Sequence, residues 1–164
     1  MCMMMKVIFN HSIDVVSLKL IKNSEITVKT DRVSDHDTAI RVFQEQIGNM
    51  DREHFCVICL DSKGVPTNYS VAHVGTLNNT LISNREIFKV AVKSNASSIL
   101  VAHNHPSGDV TPSNEDVNHT EMIVKAGKIL GIPVLDHLIV STSKGLSIRN
   151  QHPEIFNWVL GGSG

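Results

Sequence analysis

Three things are scarce in this 164-residue chain, and each scarcity removes a class of protein. Cysteine occurs only at Cys2, Cys56 and Cys59. An odd number, with one at the extreme N-terminus, does not suggest a disulfide framework, so a reducing, cytoplasmic compartment is expected. A surplus of charge is also missing: 15 Lys and Arg stand against 16 Asp and Glu, for a net charge of −1. Nothing in that balance announces phosphate-driven binding to nucleic acid, although a local basic patch stays open. No stretch approaches the roughly 18 apolar residues of a membrane span, so no membrane partner is expected. Met1 to Lys6 has neither the basic start nor the apolar run of a signal peptide. Internal repeats and low-complexity tracts are absent as well.

What remains describes one globular domain. The length supports a sizeable core, and 41% hydrophobic with 19% charged residues is ordinary for a soluble fold. Cys56 and Cys59 form a C-x-x-C, yet they lie inside Phe55–Leu60, which reads as a strand. Positions three apart on a strand face opposite sides, so the pair is expected to be two buried core cysteines rather than a joint metal site.

The apolar patterning gives an element order. Residues 1–33 are the least readable; Lys6–Phe9, Val15–Lys22 and Glu25–Thr30 are expected as short strands packed on the body. The main domain is placed at 34–160. It opens with a helix after Ser34–Asp37 that carries Ile40, Phe43 and Ile47 and stops at Gly48. A strand Phe55–Leu60, a turn Asp61–Gly64 and a strand from Val65 to Val74 form a hairpin. A helix over Asn84–Asn95 buries Ile87, Phe88, Val90 and Ala91, and exposes Lys89 and Lys93. After a strand at Ser97–Ala102 comes a helix from Ser113 to Leu130 that buries Val117, Ile123 and Val124 and ends at Gly131, with Pro133 following. Strands at Val134–Ser141 and Gly145–Arg149 precede a short helix Pro153–Leu160, which tucks in Phe156 and Trp158. Gly161–Gly164 is a loose tail. Strands and helices in this order predict the α/β class, a single-domain three-layer sandwich with a curved mixed sheet flanked by helices.

The chemistry concentrates in one stretch, His103-Asn-His-Pro-Ser-Gly-Asp-Val-Thr-Pro-Ser-Asn-Glu-Asp116. Pro106, Gly108 and Pro112 make its middle a loop between strand and helix. Residues i and i+2 of a strand point the same way, so His103 and His105 would face one site, and Asp116 returns to it from the first helical turn. Two imidazoles and a carboxylate leave the fourth position of a tetrahedral zinc ion open, the pattern of a catalytic site. The plainer alternatives stand beside this. Ser113-x-x-Asp116 is also a helix-capping pattern, and His103 is equally a strand-end histidine bonded to backbone. Asp109, on a Gly-Asp-Val turn, is expected to bond backbone rather than metal. Asp136-His137 has the look of a catalytic couple, but its aspartate is expected to bond a neighbouring backbone or imidazole.

His103-x-His105, seven residues, Ser113, two residues, Asp116 resembles the JAMM (MPN+) metalloprotease signature position for position. The wider string resembles the RadC family more closely: His-Asn-His-Pro-Ser-Gly, then Pro112-Ser113-x-x-Asp116, then Asp136-His-Leu-Ile-Val140, with Gly75-Thr76 and Arg85-Glu-Ile-Phe88. The likeness runs from about Asp51 to Ile148, where RadC-like chains often carry an aromatic.

The resemblance implies an MPN, cytidine-deaminase-like topology and one zinc ion per chain on His103, His105 and Asp116. It implies a metal-activated water that attacks an amide or isopeptide bond of a peptide or protein substrate. It places the general base at Glu53, just before the first strand, where a solvated glutamate is the ordinary alternative. Glu86 competes for that role, but the opening turn of a helix already accounts for it. Ser113 would donate to the oxyanion, unless it is only the helix cap. The family also carries an inherited DNA-repair association. Its longer members place a helix-hairpin-helix region ahead of the metal domain, and the stretch before Asp51 shows no such pattern. The alternative function is therefore a repair-associated accessory protein that binds nucleic acid, with a metal site unused for proteolysis. A silent MPN scaffold would need none of the ligand side chains. A zinc deaminase would need a Pro-Cys-x-x-Cys run that is absent here. The oligomeric state is not readable.

Overall fold

The computed structural model describes residues 13–28, 33, 35–75 and 82–157. Among these, five strands form one mixed sheet in the order β2-β1-β3-β4-β5. β1 (His54–Leu60) and β2 (Pro66–Val74) make the expected antiparallel hairpin across the Asp61–Gly64 turn. Asp61 builds that turn by accepting from the backbone N–H groups of Lys63 (2.8 Å) and Val65 (2.9 Å). β1 also pairs antiparallel with β3 (Ser98–Asn104), and β3 runs parallel to β4 (Val134–Val140). The short β5 (Gly145–Ser147) closes the far edge.

Helices cover both faces. α1 (His36–Ile47) lies on one side, where Phe43 and Ile47 pack with Cys56, Ile58, Leu60, Leu100, Ala102, Leu138 and Val140. On the other, α2 (Asn84–Lys93) and α3 (Asn114–Leu130) cover Phe55, Val57, Cys59, Ile99 and Val101. The three-layer α/β sandwich with a mixed sheet is thus the observed fold. β3, buried on every residue, is the apolar central strand that its sequence predicts.

α3 is the crossover between the parallel pair β3 and β4, and its position is set by a close approach. A Cβ on Gly127 would lie 2.6 Å from the Ile132 carbonyl and 3.2 Å from both Phe88 and Val134, so only glycine lets the helix sit this near the sheet. Gly131 ends the helix in the left-handed region at φ 70°.

Cys56 and Cys59 belong to opposite core layers, as expected for positions three apart on a strand. Burial pushes the Cys56 thiol up to about 11, a Tyr69 hydrogen bond opposing only part of that. At pH 8 its thiolate fraction is then on the order of one part in a thousand. Site-resolved mass spectrometry is expected to find Cys56 unmodified by iodoacetamide at pH 8 in the native protein, and fully modified in denaturant.

Several expectations need correction. Val15–Lys22 and the described part of Glu25–Thr30 form no strand; 13–28 contains no helix or strand, and only Ile26 and Val28 are partly covered. Alternating residues become a strand only when a partner satisfies their backbone groups, and no described strand pairs with this segment. The final strand stops at Ser147, whose hydroxyl caps a short helix α4 (Ile148–Gln151), so Ile148 and Arg149 are helical. Pro133 and Pro153 fall where they suit a chain stop and a helix start, and α5 spans Pro153–Phe156. Val117 is half-buried, because α3 turns Asp116, His119 and Thr120 inward at that level instead. Lys6–Phe9, Thr76, Trp158 and the tail lie outside the described residues.

Candidate metal centre

The site forms where β3 ends and α3 begins. His103 is the sixth residue of β3, and the ladder to β4 continues past the strand end: the His105 N–H donates to the Val140 carbonyl at 2.9 Å. Extended geometry therefore persists through Asn104, and both imidazoles emerge on the α3 side. The chain then reverses in a turn whose Gly108 N–H donates to the His105 carbonyl (3.0 Å). Pro106 presets the second position of this turn, and Gly108 takes φ 83° at its end. Asp109 is bound as predicted, its Oδ1 accepting from Thr111 N–H (3.0 Å) and Oγ1 (2.8 Å). Its backbone carbonyl does something the sequence did not suggest. It accepts from His105 Nδ1 at 2.6 Å, so the hydrogen of that ring sits on Nδ1 and the Nε2 lone pair is turned inward.

The Ser113–Asp116 alternatives turn out not to exclude each other. Ser113 Oγ accepts from the Asp116 N–H (3.1 Å), and Asp116 Oδ2 accepts from the Ser113 N–H (2.8 Å) and hydroxyl (2.7 Å), a complete capping box. That grip on Oδ2 turns Oδ1 toward His103, whose Nε2 lies 3.1 Å away. His105 Nε2 is 3.6 Å from Oδ2 and 3.0 Å from His103 Nε2. His103 and Asp116 are almost wholly buried, whereas the His105 side chain keeps 15% exposure, so the open side of the cluster is at His105. Among the described residues these three are the one group of His, Cys, Asp or Glu placed to share an ion.

Burial by itself would push the Asp116 carboxyl up. The His103 and His105 imidazoles beside it and the hydrogen bond from Ser113 outweigh it and hold the group well below the usual carboxylate range. The Asp116 carboxylate in turn raises His105 above the ordinary imidazole value, against the opposing effect of burial. Glu53 adds to that rise through its charge, which places its carboxylate within electrostatic reach of His105.

Glu53 stands just before β1, where the antiparallel register with β3, which pairs Phe55 with His103, sets it across from His105 when continued two residues. Asn104 fixes this arrangement from the opposite face of β3. Its Oδ1 accepts from the His54 N–H (2.7 Å), and its Nδ2 donates to the carbonyls of Arg52 (3.0 Å) and Met50 (3.3 Å). The competitor Glu86 is exposed on the first turn of α2 and paired with Lys89 at 2.6 Å.

At the level of this constellation the comparisons with known proteins become informative. A family model for the RadC-like JAB domain matches residues 33–153. The chain belongs to the RadC-like JAB family. Within it, the chain is 41% identical over 119 residues to a UPF0758 protein of Caldanaerobacter subterraneus, which covers 73% of this chain and 51% of that protein. A UPF0758 protein of Clostridium kluyveri is 43% identical over 118 residues, 72% of this chain and 51% of its own length. A third, from Staphylococcus epidermidis, is 38% identical over 126 residues, covering 77% and 56%. The chain thus spans about half the length of the curated relatives it matches. Their names give a family and state no reaction.

Two aromatic neighbours complete the RadC-like site; the sequence marked His137 only as half of an apparent couple with Asp136, and gave Phe55 no role beyond its strand. Phe55 stacks on the His103 ring at 6.1 Å between centroids and meets His137 edge-on at 5.3 Å. His137, fully buried on β4, brings its Nε2 to 2.9 Å from His103 Nδ1. Asp136, beside it, bonds the His137 N–H, the Ser147 hydroxyl and the Arg149 N–H, the backbone-holding role expected of it and no imidazole contact. The signal for His137 was its place in Asp136-His-Leu-Ile-Val140.

Proposed function

We propose that the chain is a zinc-dependent hydrolase that cleaves an amide or isopeptide bond in a peptide or protein, with His103, His105 and Asp116 as the metal ligands. The observation that carries this is the 3.0 Å separation of two inward-facing imidazole Nε2 atoms beside a buried carboxylate. Two lone pairs that close repel unless a cation or proton lies between them. The Nε2–Nε2 separation of 3.0 Å and the His103 Nε2–Asp116 Oδ1 separation of 3.1 Å lie near the roughly 3.3 Å edge that zinc bonds of about 2.0–2.1 Å set in a tetrahedron. The donor set fits zinc, and three protein ligands leave its fourth position for water. Zinc held there would lower the pKa of that water toward about 7 and polarise a carbonyl as a Lewis acid.

The remaining roles fall to the chain itself. Glu53, on the open side beside His105, accepts the proton of the attacking water and returns it to the leaving amine. Asn104 holds the Met50–His54 turn that carries it. Ser113 keeps Asp116 aimed through the capping box. Its single hydroxyl hydrogen is committed to Oδ2, so donation to an oxyanion requires that hydroxyl to swing away from the carboxylate.

Elemental analysis of the purified protein tests this reading: about one zinc per chain is expected. No zinc bound, and none taken up from a stoichiometric amount at neutral pH, would overturn it. The pH dependence carries a sign. Zinc must displace the proton that Asp116 stabilises on His105, so affinity is full above the raised His105 value and falls as pH drops through it. The midpoint of a zinc-affinity titration is therefore expected above about 6.5. The metal-free protein behaves oppositely. His105 lends it stability below the unfolded value of about 6.5, and this is lost as pH rises through the folded one.

A further inference from the structure

We propose that Thr120 and His137 form a tautomer lock that presents the His103 Nε2 lone pair to the metal; the proposal rests on the metal-site reading above. Thr120 and His137 come from different elements, α3 and β4, and meet in the core behind the ligands. The Thr120 hydroxyl donates to the Asp116 carbonyl at 2.6 Å, and the same oxygen lies 2.6 Å from His137 Nδ1. A carbonyl can only accept, so the one hydroxyl hydrogen goes there, and the oxygen can serve His137 only as an acceptor. His137 must then carry its hydrogen on Nδ1. A fully buried imidazole with no carboxylate partner stays neutral, which leaves its Nε2 bare. At 2.9 Å that bare nitrogen accepts from His103 Nδ1–H, so Nδ1 keeps its hydrogen and Nε2, where it meets His105 and Asp116, is the nitrogen left for the metal.

Each link has one polarity, and the direction is set at the far end by a backbone carbonyl. The relay also joins two ligands through the core. It starts at the backbone of Asp116 on α3 and ends on the ring of His103 on β3. Without the Thr120 hydroxyl, His137 is free to carry its hydrogen on Nε2. That hydrogen would donate to His103 Nδ1 and push the His103 hydrogen onto Nε2, where it blocks the metal. No change of charge is involved. Thr120 and His137 are positioning residues, since neither lies among the ligating atoms.

The hand of β4 makes the arrangement possible. The β3–β4 register skips one residue, pairing Ile99 with Val134 and Leu100 with Asp136. Val134 faces the α2–α3 layer while Leu138 and Val140 face α1, so the skip is what turns His137 toward α3.

The test uses the full chain in four forms: wild type, Thr120→Val, Thr120→Ser and His137→Gln. Zinc affinity is read by competition with a chromophoric chelator, and the tautomers of the metal-free proteins by long-range 1H–15N NMR of the imidazoles. Circular dichroism checks folding. Wild type is expected to show Nδ1–H on both His103 and His137. Thr120→Val is expected to bind zinc about 10- to 100-fold more weakly and to lose the Nδ1–H signature of His103. Thr120→Ser restores the hydroxyl and wild-type affinity. His137→Gln, whose amide oxygen reaches the Nε2 position, keeps most of the affinity. A folded Thr120→Val that binds zinc as wild type does, or a metal-free wild type whose His103 lacks the Nδ1 hydrogen, would overturn the lock. Failure of wild type to take up zinc would overturn the metal reading instead, and the NMR signature of the metal-free protein would still decide the lock.

Discussion

Asp116→Ala is expected to abolish zinc retention and to lower the melting temperature in the same protein. The two effects have separate causes in the two carboxylate oxygens. Oδ1 faces the His103 Nε2, so its loss removes the only anionic ligand of the cluster. Oδ2 caps α3, the crossover helix on which the β3–β4 connection depends, and losing a cap of this kind costs about 0.5–2 kcal/mol. At roughly 2–4 °C per kcal/mol for a chain of this size, the cap alone predicts a fall of several degrees. Asp116→Asn separates the terms. Its amide oxygen can still accept from the Ser113 N–H, but it brings no charge, so zinc is expected to be lost with a smaller drop in melting temperature. The sign with pH follows from the depressed carboxyl. Its contribution is complete above the unfolded value of about 3.9 and drains away as pH falls below it toward the folded one. The stability gap between wild type and Asp116→Ala in metal-free protein should therefore be widest near neutrality and close in acid. Equal zinc content in wild type and Asp116→Ala would leave the aspartate as a helix cap alone.

Glu53→Gln carries the second large effect, on turnover rather than on metal. Glutamine keeps the size and hydrogen-bonding reach of the side chain and removes the ability to take a proton. A loss of about 10²–10⁴-fold in kcat against a cleavable peptide is expected, with zinc content and melting temperature unchanged. Glu86→Gln is the matched control and should leave kcat alone, because that carboxylate is spent on Lys89 at the exposed start of α2. A large loss in Glu86→Gln with none in Glu53→Gln would reverse the assignment.

Much of this was legible one residue at a time. The hairpin turn at Asp61–Gly64, the stop at Gly131 and the bound Asp109 follow from local backbone chemistry, which needs no distant partner. The two-sided placement of Cys56 and Cys59 follows from strand period alone. His103-x-His105 and Asp116 were readable because a strand, a proline–glycine loop and a capped helix bring near neighbours in sequence to one point. The N-terminal strands were misread for the converse reason: alternation at Val15–Lys22 and Glu25–Thr30 promises a strand only if an edge is offered to it. Gly145–Arg149 was misread because the Ser147 hydroxyl competes for the backbone and starts a helix.

By itself, then, the sequence determined the strand–loop–helix unit, its three clustered side chains and the α/β class, since all of these rest on periodicity and turn chemistry over short spans. Tertiary structure decided how those side chains are aimed. Asn104 reaches the Met50–His54 turn only because β1 lies antiparallel to β3, and His137 reaches His103 only because β4 lies parallel to β3 with one residue skipped in its register. Side-chain period along a strand is two, so a single skipped residue moves a side chain from one face of the sheet to the other, and no local pattern in β4 records which face will win.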